Sequence, residues 1–427
     1  VSDRYVIVGL RRSGLAACEA IARMWPDATV VATDSAVDID WRRIEAAGAE
    51  YVARGDAVSL AGVKAVVKSP GVPGTAPTVA AARVKGIPVW SEVELASRML
   101  GNPIAGITGT NGKTTTTELV GAMFRAGGRK VEVAGNVGRA LSELPGRIDP
   151  DAWIACELSS FQLEDIDTFH ARAGVVLNIT PDHLDRHGTF EEYTRCKLRL
   201  LENQTPDDLA VLNRDDPVIA AAALPGEGRR EWFGGDDRSS IDFEHARIRG
   251  DHNLENALAA AAVARFAGIG DAAIDEALRG FDPPDHRMRV VGEASGVQYI
   301  DDSKATNPDA VIKGLTAFDS GVRLILGGSL KGGSFADLAA AVAAGPVVRS
   351  YLIGEAADSI ARELDAAHAD FTDCRTLDVA LGAAAGEALP GDTVMLSPAC
   401  ASFDQFRDYE HRGQEFARLV RELLDGA

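Results

Sequence analysis

The chain has 427 residues, 46% hydrophobic and 25% charged, an ordinary globular composition that excludes a collagen-like, disordered or disulfide-dense scaffold. At roughly 100–200 residues per domain, the length predicts about two to four domains, with three as the central expectation. The 44 Lys and Arg against 63 Asp and Glu leave a net charge of −19, which excludes a broad surface for nucleic acid or anionic membrane but not a small anionic substrate held by a few local donors.

Val6-Ile7-Val8, Thr29-Val30-Val31 and Ala65-Val66-Val67 read as buried parallel strands, with helical spacing between them over 15–24 and 78–84. This alternation predicts βαβ units in an α/β fold. It restarts at Ile104-Ala105-Gly106-Ile107, with further strands near 153–156 and 174–177. It restarts again after Phe281-Asp282-Pro283-Pro284, with strands at Leu324-Ile325-Leu326, 350–353 and Thr393-Val394-Met395-Leu396. Two restarts predict three modules, 1–92, 93–281 and 282–427. The stretch 224–250 reads as a polar loop with short strands. No apolar run reaches ~18 residues, so no membrane insertion is expected. The N-terminus lacks the basic and apolar regions of a signal peptide. Five scattered cysteines (Cys18, Cys156, Cys196, Cys374, Cys400) fit a reduced, cytoplasmic protein.

In the first module, Gly9-Leu10-Arg11-Arg12-Ser13-Gly14 stands where a dinucleotide fingerprint would lie, and Asp34 ends the second strand. Arg11 replaces the middle glycine, so a pyrophosphate cannot approach that backbone closely, and the motif is weak evidence for a dinucleotide.

The strongest local signal is Gly106-Ile107-Thr108-Gly109-Thr110-Asn111-Gly112-Lys113-Thr114-Thr115, between an apolar strand and a helix predicted over 115–125. Glycines let backbone N–H groups close around phosphate oxygens, and the helix N-terminus adds partial positive charge. Lys113 would reach the β- and γ-phosphates, and the Thr114 hydroxyl would help hold Mg²⁺. The usual loop has glycine at the position of Ile107; here the glycines fall at 106, 109 and 112.

Glu157 follows a strand predicted to end beside that loop, where a carboxylate suits Mg²⁺; a helix-capping acid is the alternative. His183, in Asp182-His183-Leu184-Asp185 at the next strand end, could ligate metal or bind phosphate, or be structural. Lys197 is expected on a helix, where a solvated lysine is the default reading. Asn253 and Asn256 share one helical face, and their amides suit an adenine edge or a helix cap.

The Gly-Thr-Asn-Gly-Lys-Thr-Thr core resembles the Mur ligase family, which joins amino acids to UDP-muramoyl peptides. So do the runs Glu157-Leu158-Ser159-Ser160-Phe161-Gln162, Asn178-Ile179-Thr180-Pro181-Asp182-His183, Asp302-Ser303-Lys304-Ala305-Thr306-Asn307 and Ser397-Pro398-Ala399-Cys400-Ala401-Ser402-Phe403. The resemblance spans about residues 5 to 420. It implies a Rossmann-like UDP-binding domain, a central P-loop ATPase-type domain and a C-terminal Rossmann-like domain that admits an amino acid. It further implies an ATP-dependent ligation of D-glutamate to UDP-N-acetylmuramoyl-L-alanine through an acyl phosphate, by a cytoplasmic monomer.

By the same resemblance, Lys113, Glu157, His183 and Lys197 are catalytic, and Thr114, Glu157, His183 and a carbamylated Lys197 hold two Mg²⁺ ions. ATP would lie on Gly109, Thr110, Asn111, Gly112, Lys113, Thr114, Thr115, Asn253, Asn256, His286, Arg287 and Asp302. The UDP-substrate would meet Arg12, Ser13, Asp34, Ser69, Pro70, Gly71, Asn136 and His183. Glutamate would meet Lys304, Thr306, Lys331, Ser402, Phe403 and Tyr409. Many relatives follow the Asp34 position with Thr-Arg; here it is Ser35-Ala36, and Arg11 or Arg12 is expected to supply the missing cation. Three alternatives stand beside this reading: the same ligation with L-glutamate or another amino acid, a folylpolyglutamate synthase-like ligase, and, from a different class, a non-catalytic nucleotide sensor or a dehydrogenase.

Overall fold

The computed structural model describes all residues except 1, 37–38, 54–57, 137, 247, 249, 283–284, 331–333 and 426–427. Its seventeen strands among the described residues form three sheets, each following the chain. The first contains β1 (Arg4–Val8), β2 (Thr29–Thr33), β3 (Glu50–Val52), β4 (Val63–Lys68) and β5 (Val89–Ser91), in the order β3-β2-β1-β4-β5 and parallel throughout. The second contains β6 (Ile104–Thr108), β7 (Val131–Gly135), β8 (Trp153–Glu157), β9 (Ala173–Val176), β10 (Leu209–Asn213) and β11 (Arg229–Phe233), ordered β11-β10-β9-β6-β8-β7 and also parallel. The third contains β12 (Arg289–Ala294), β13 (Val297–Asp301), β14 (Val322–Gly327), β15 (Val347–Ile353), β16 (Phe371–Arg375) and β17 (Thr393–Leu396), ordered β12-β13-β17-β14-β15-β16. There β12 runs antiparallel to β13 as an edge hairpin, and the rest is parallel.

The order in each sheet reverses at one strand: β1, β6 and β14. Loops leaving such a strand and its neighbour diverge to opposite faces and open a crevice at the carboxyl ends. The central strands are buried on both faces, which explains their unbroken Val/Ile/Leu/Ala runs.

Residues 1–246 and 255–280 pack as one compact unit, and 247–254 with 281–427 as a second. Within the first unit, buried charge fastens the first sheet to the second. Lys68, at the end of β4, is fully buried and pairs with Asp165 at 3.0 Å and Glu164 at 3.5 Å. Arg83 donates to Asp165 at 2.6 Å, and Arg186 donates to the Val72 carbonyl at 2.8 Å and to Glu164 at 3.0 Å. The expected boundary at 92/93 falls at the start of the helix Glu92–Ser97. There the buried Glu94 carboxylate accepts the N–H groups of Asp167, Thr168 and Phe169, which hold its pKa low against the opposing effect of burial. Among the described residues no helix is long and apolar enough to cross a membrane.

Candidate active site

The glycine-rich turn after β6 leads into the helix Lys113–Ala126. Gly112 caps that helix at φ +83°, in the left-handed region, and a Cβ there would lie 2.2 Å from Asn256 Oδ1. Only glycine meets both demands. The buried Asn256 therefore roofs the turn, and its Oδ1 also accepts the Thr116 hydroxyl at 3.2 Å. Asn178, just past β9, braces the turn from the opposite side, accepting Asn111 N–H at 2.8 Å.

Two lysines converge on one carbonyl. Lys113 folds back to donate to Gly109 O at 2.9 Å and Thr110 O at 2.7 Å. Lys197, from the helix Phe190–Leu198, donates to the same Gly109 O at 2.6 Å. Lys197 is 1% exposed, so it is no solvated helix-face lysine. Burial, and then the nearby Lys113 charge, pull its pKa well below the usual lysine range. Its ammonium also lies 4.7 Å from the Tyr193 ring centre, and the Tyr193 hydroxyl meets Thr110 Oγ1 at 3.0 Å.

The carboxylate of Glu157, at the end of β8, accepts the Thr114 hydroxyl at 2.7 Å and the Asn136 amide at 3.1 Å. Gly135 makes this approach possible: at φ +117°, a Cβ would sit 2.2 Å from Glu157 O. His183 stands at φ +52°, with its ring 4.8 Å from Phe161 and a ring nitrogen 3.7 Å from Asp182. Thus Gly109 to Thr115, Asn136, Glu157, Lys197 and Asn256 form one cluster at the carboxyl ends of β6, β7 and β8.

At the first sheet, Ser69 Oγ donates to Gly9 O at 2.8 Å, and Asp34 accepts the amides of Leu10 and of Ala36, the latter at 2.8 Å. Gly14 must be glycine, since a Cβ would lie 1.8 Å from Gly9 O. Ser69, Asp34 and the turn 9–14 therefore meet, with Pro70 half-buried and Gly71, Arg11 and Arg12 exposed beside them. Ser13 is half-buried in the first turn of the helix Arg12–Met24.

In the second unit, His286 (φ +63°) meets Asp301 at 2.6 Å. Asp302 is buried, accepts the Ser397 hydroxyl at 2.7 Å, and is pushed up to about 7 by burial, opposed by that hydrogen bond and by Arg287. Asn253 is half-buried. Lys304 lies 5.2 Å from the Tyr409 ring centre; Thr306 is half-buried, Ser402 buried and Phe403 73% exposed. Lys331 lies outside the described residues.

Three contributors escaped the sequence reading. Arg412, in the helix Tyr409–Asp425, is fully buried and donates to Ser303 O at 2.9 Å, Cys400 O at 3.1 Å and Ala401 O at 3.2 Å, tying the 301–304 and 400–402 segments together. Burial pulls its pKa down to about 10. Lys68 and Asn178 are the others. Lys68 had one legible cue, its position directly before Ser69-Pro70-Gly71; Asn178 opens the run 178–183 that carries the resemblance but had no role attached to it, and an arginine in a charged helix carries no cue.

The model of the Mur ligase middle domain matches residues 107–233, and that of the Mur ligase glutamate ligase domain matches 286–400. A UDP-N-acetylmuramoylalanine–D-glutamate ligase of Solibacter usitatus is 42% identical, covering 98% of both chains. One from Geobacter metallireducens is 42% identical, over 99% of this chain and 98% of that one. Among solved structures, the MurF ligase of Thermotoga maritima in complex with ADP superposes with a TM-score of 0.62 at 17% identity, covering 93% of this chain and 96% of that one. A pseudomurein peptide ligase type C from Methanothermus fervidus gives 0.60 at 17%, over 99% and 100%. The structural likenesses establish the α/β fold with its parallel sheets. Two domain models in order, and relatives matched from end to end, establish descent: the chain belongs to the Mur ligase family.

Proposed function

We propose that this chain is an ATP-dependent, ADP-forming ligase that adds D-glutamate to UDP-N-acetylmuramoyl-L-alanine in the cytoplasm during peptidoglycan synthesis. The observation that carries the ligase chemistry is the cluster at the ends of β6 and β8, where Lys113, Lys197 and the Thr114–Glu157 pair stand on one glycine-rich turn. The choice of substrates rests on the relatives' names. A sensor would need neither a buried second lysine nor a hydroxyl–carboxylate pair at the turn.

A carboxylate is a poor electrophile. Transfer of the ATP γ-phosphoryl group to a terminal alanine carboxylate oxygen makes an acyl phosphate and releases ADP. The glutamate amine then attacks the acyl carbon, loses a proton, and phosphate departs. The protein's part is to position these groups and offset their charge. Lys113 is already aimed into the turn, where β- and γ-phosphate oxygens would compete for its ammonium with two carbonyls.

Magnesium takes hard oxygen ligands and is held by one or two carboxylates together with substrate phosphates. Thr114 and Glu157 fit that pattern. Among the described residues no group of three or more His, Cys, Asp or Glu could hold a metal ion. When bound, it would draw charge from the phosphates; His183 would hold a second ion. Lys197 fits carbamylation, because its depressed pKa favours the neutral amine that attacks CO₂ and sheds a proton. Asn256 would serve the adenosine side through the turn it roofs; Asn253, His286, Arg287 and Asp302, residues of the second unit, are assigned to ATP on the resemblance. Lys304, Thr306, Lys331, Ser402, Phe403 and Tyr409 receive glutamate. The three sheets correspond to three functional domains.

The test is phosphate release with UDP-N-acetylmuramoyl-L-alanine, ATP and Mg²⁺, run separately with D-glutamate, L-glutamate and no amino acid. D-glutamate-dependent release is expected; release indifferent to glutamate sinks the reading.

A further inference from the structure

The crevice of the first sheet poses a charge problem. A nucleoside diphosphate entering it meets the turn after β1, where the Asp34 carboxylate already takes the Leu10 amide. The segment after β2 carries Ser35 and Ala36 and offers no cation. The amides that open the helix Arg12–Met24 remain as donors, but a diphosphate also calls for cationic side chains, and those come from elsewhere.

Two guanidinium groups converge on the neighbouring carboxylate of Glu143. Arg12, the first residue of the helix after the β1 turn, stands 3.9 Å from Glu143 Oε1 with its side chain 53% exposed. Arg139, in the loop that follows β7, stands 3.7 Å from Glu143 Oε2 and 3.3 Å from Glu132. That same loop carries Asn136, which touches Glu157. Both arginines thus leave carboxyl ends of strands, one from each sheet of the first unit. Both contacts to Glu143 are long and partly exposed, the kind of ion pair that holds weakly and exchanges readily. Arg23 adds to the local positive charge: its guanidinium donates to the carbonyls of Ser142 and Pro145, and repulsion from Arg147 and Arg139 reinforces burial in lowering its pKa.

We infer that Arg139, together with Arg12, is the diphosphate-recognition pair for the nucleotide-sugar substrate, and that Glu143 occupies this pair until the substrate's phosphates replace it. The inference rests on the proposed UDP-substrate. Guanidinium suits the task because its planar donors can grip phosphate oxygens in pairs. The second sheet thereby reads the phosphates of a ligand whose nucleoside lies on the first.

The test uses the full chain. KM for UDP-N-acetylmuramoyl-L-alanine is measured by phosphate release in wild type, Arg12→Ala, Arg139→Ala, Arg139→Lys and Glu143→Gln, and the same proteins are titrated with UDP and with uridine. Arg139→Ala and Arg12→Ala should each raise KM for the UDP-substrate about tenfold, the loss expected for one charge-assisted contact, with kcat and the KM for ATP unchanged. UDP affinity should fall in step while uridine affinity holds. Arg139→Lys should fall between wild type and Arg139→Ala, and Glu143→Gln should lower KM. The inference is overturned if Arg139→Ala leaves both KM and UDP affinity unchanged, or weakens uridine as much as UDP. A wild type inactive on UDP-N-acetylmuramoyl-L-alanine would instead defeat the ligase reading, while the UDP and uridine titrations still decide the arginines' role.

Discussion

The turn after β1 and the turn after β6 share one layout, strand, glycine turn and helix, yet they are filled by opposite charges. In the first, the Asp34 carboxylate sits against the Leu10 amide, and Arg11 caps the helix with an extended backbone. In the second, the Lys113 ammonium sits against the Gly109 and Thr110 carbonyls, and Gly112 caps the helix in the left-handed region. A turn whose Leu10 amide is taken by a carboxylate has one donor fewer for phosphate; one that holds a lysine ammonium offers phosphate both the cation and the amides beneath it. Similar backbones therefore imply different ligand chemistry, and side chains arriving from neighbouring strands decide which.

The sharpest way to break this comparison is to remove the cation. Lys113→Met should lower glutamate-dependent phosphate release on the order of 10²–10³-fold, the loss typical of one preorganised charge stabiliser. An effect that appears only in the KM for the UDP-substrate would mean that Lys113 serves the other turn. Lys197→Ala should cost a similar factor, but short-chain carboxylates should partly restore it if they stand in for the oxygens of the proposed carbamate. If no carboxylate restores turnover, Lys197 acts as a buried amine, and its hydrogen bond to Gly109 is its role.

A third variant probes what joins the two sheets. Lys68→Met should destabilise the protein by about 3 kcal/mol in urea unfolding, because it leaves the Asp165 and Glu164 carboxylates short of a buried partner. An unchanged midpoint would show that Arg83 and Arg186 suffice to offset those carboxylates.

Much of this could be read from the chain, for a definite reason. Strands inside a sheet carry short apolar runs, so β1, β2, β4, β6, β8, β9, β14, β15 and β17 were visible as such runs, although β10 and β13, also inside their sheets, were not read. Edge and short strands were not. β3 is three residues long, β7 alternates as Val-Glu-Val, and the antiparallel β12 carries Arg289 and Glu293. The helix after β6 begins at Lys113, two residues before the predicted start at 115, because its first turn is polar and carries Lys113 and Thr114 to the site. The turn itself was legible since glycine and lysine spacing encodes backbone shape. The partners that arrive from distant sequence were not: Asn256 over Gly112, Asn178 against Asn111, Arg412 between two loops and Glu143 between two arginines are facts of packing, which no local pattern records.

The third sheet extends the comparison to a buried carboxylate that no lysine or arginine offsets as fully as Lys68 and Arg83 offset Asp165. Asp302, beyond β13, is raised to about 7 chiefly by burial. In the unfolded chain the same group titrates near 4, as model peptides do. Between those values the folded state holds a proton that the unfolded state has released, so stability falls as pH rises from about 4 to about 7. The slope from this group reaches at most about 1.4 kcal/mol per pH unit. Urea unfolding from pH 4.5 to 7.5 should show this loss, and Asp302→Asn should flatten it, because the amide does not titrate. A profile that Asp302→Asn leaves unaltered would mean that Arg287 and the Ser397 hydroxyl already keep Asp302 ionised across that range.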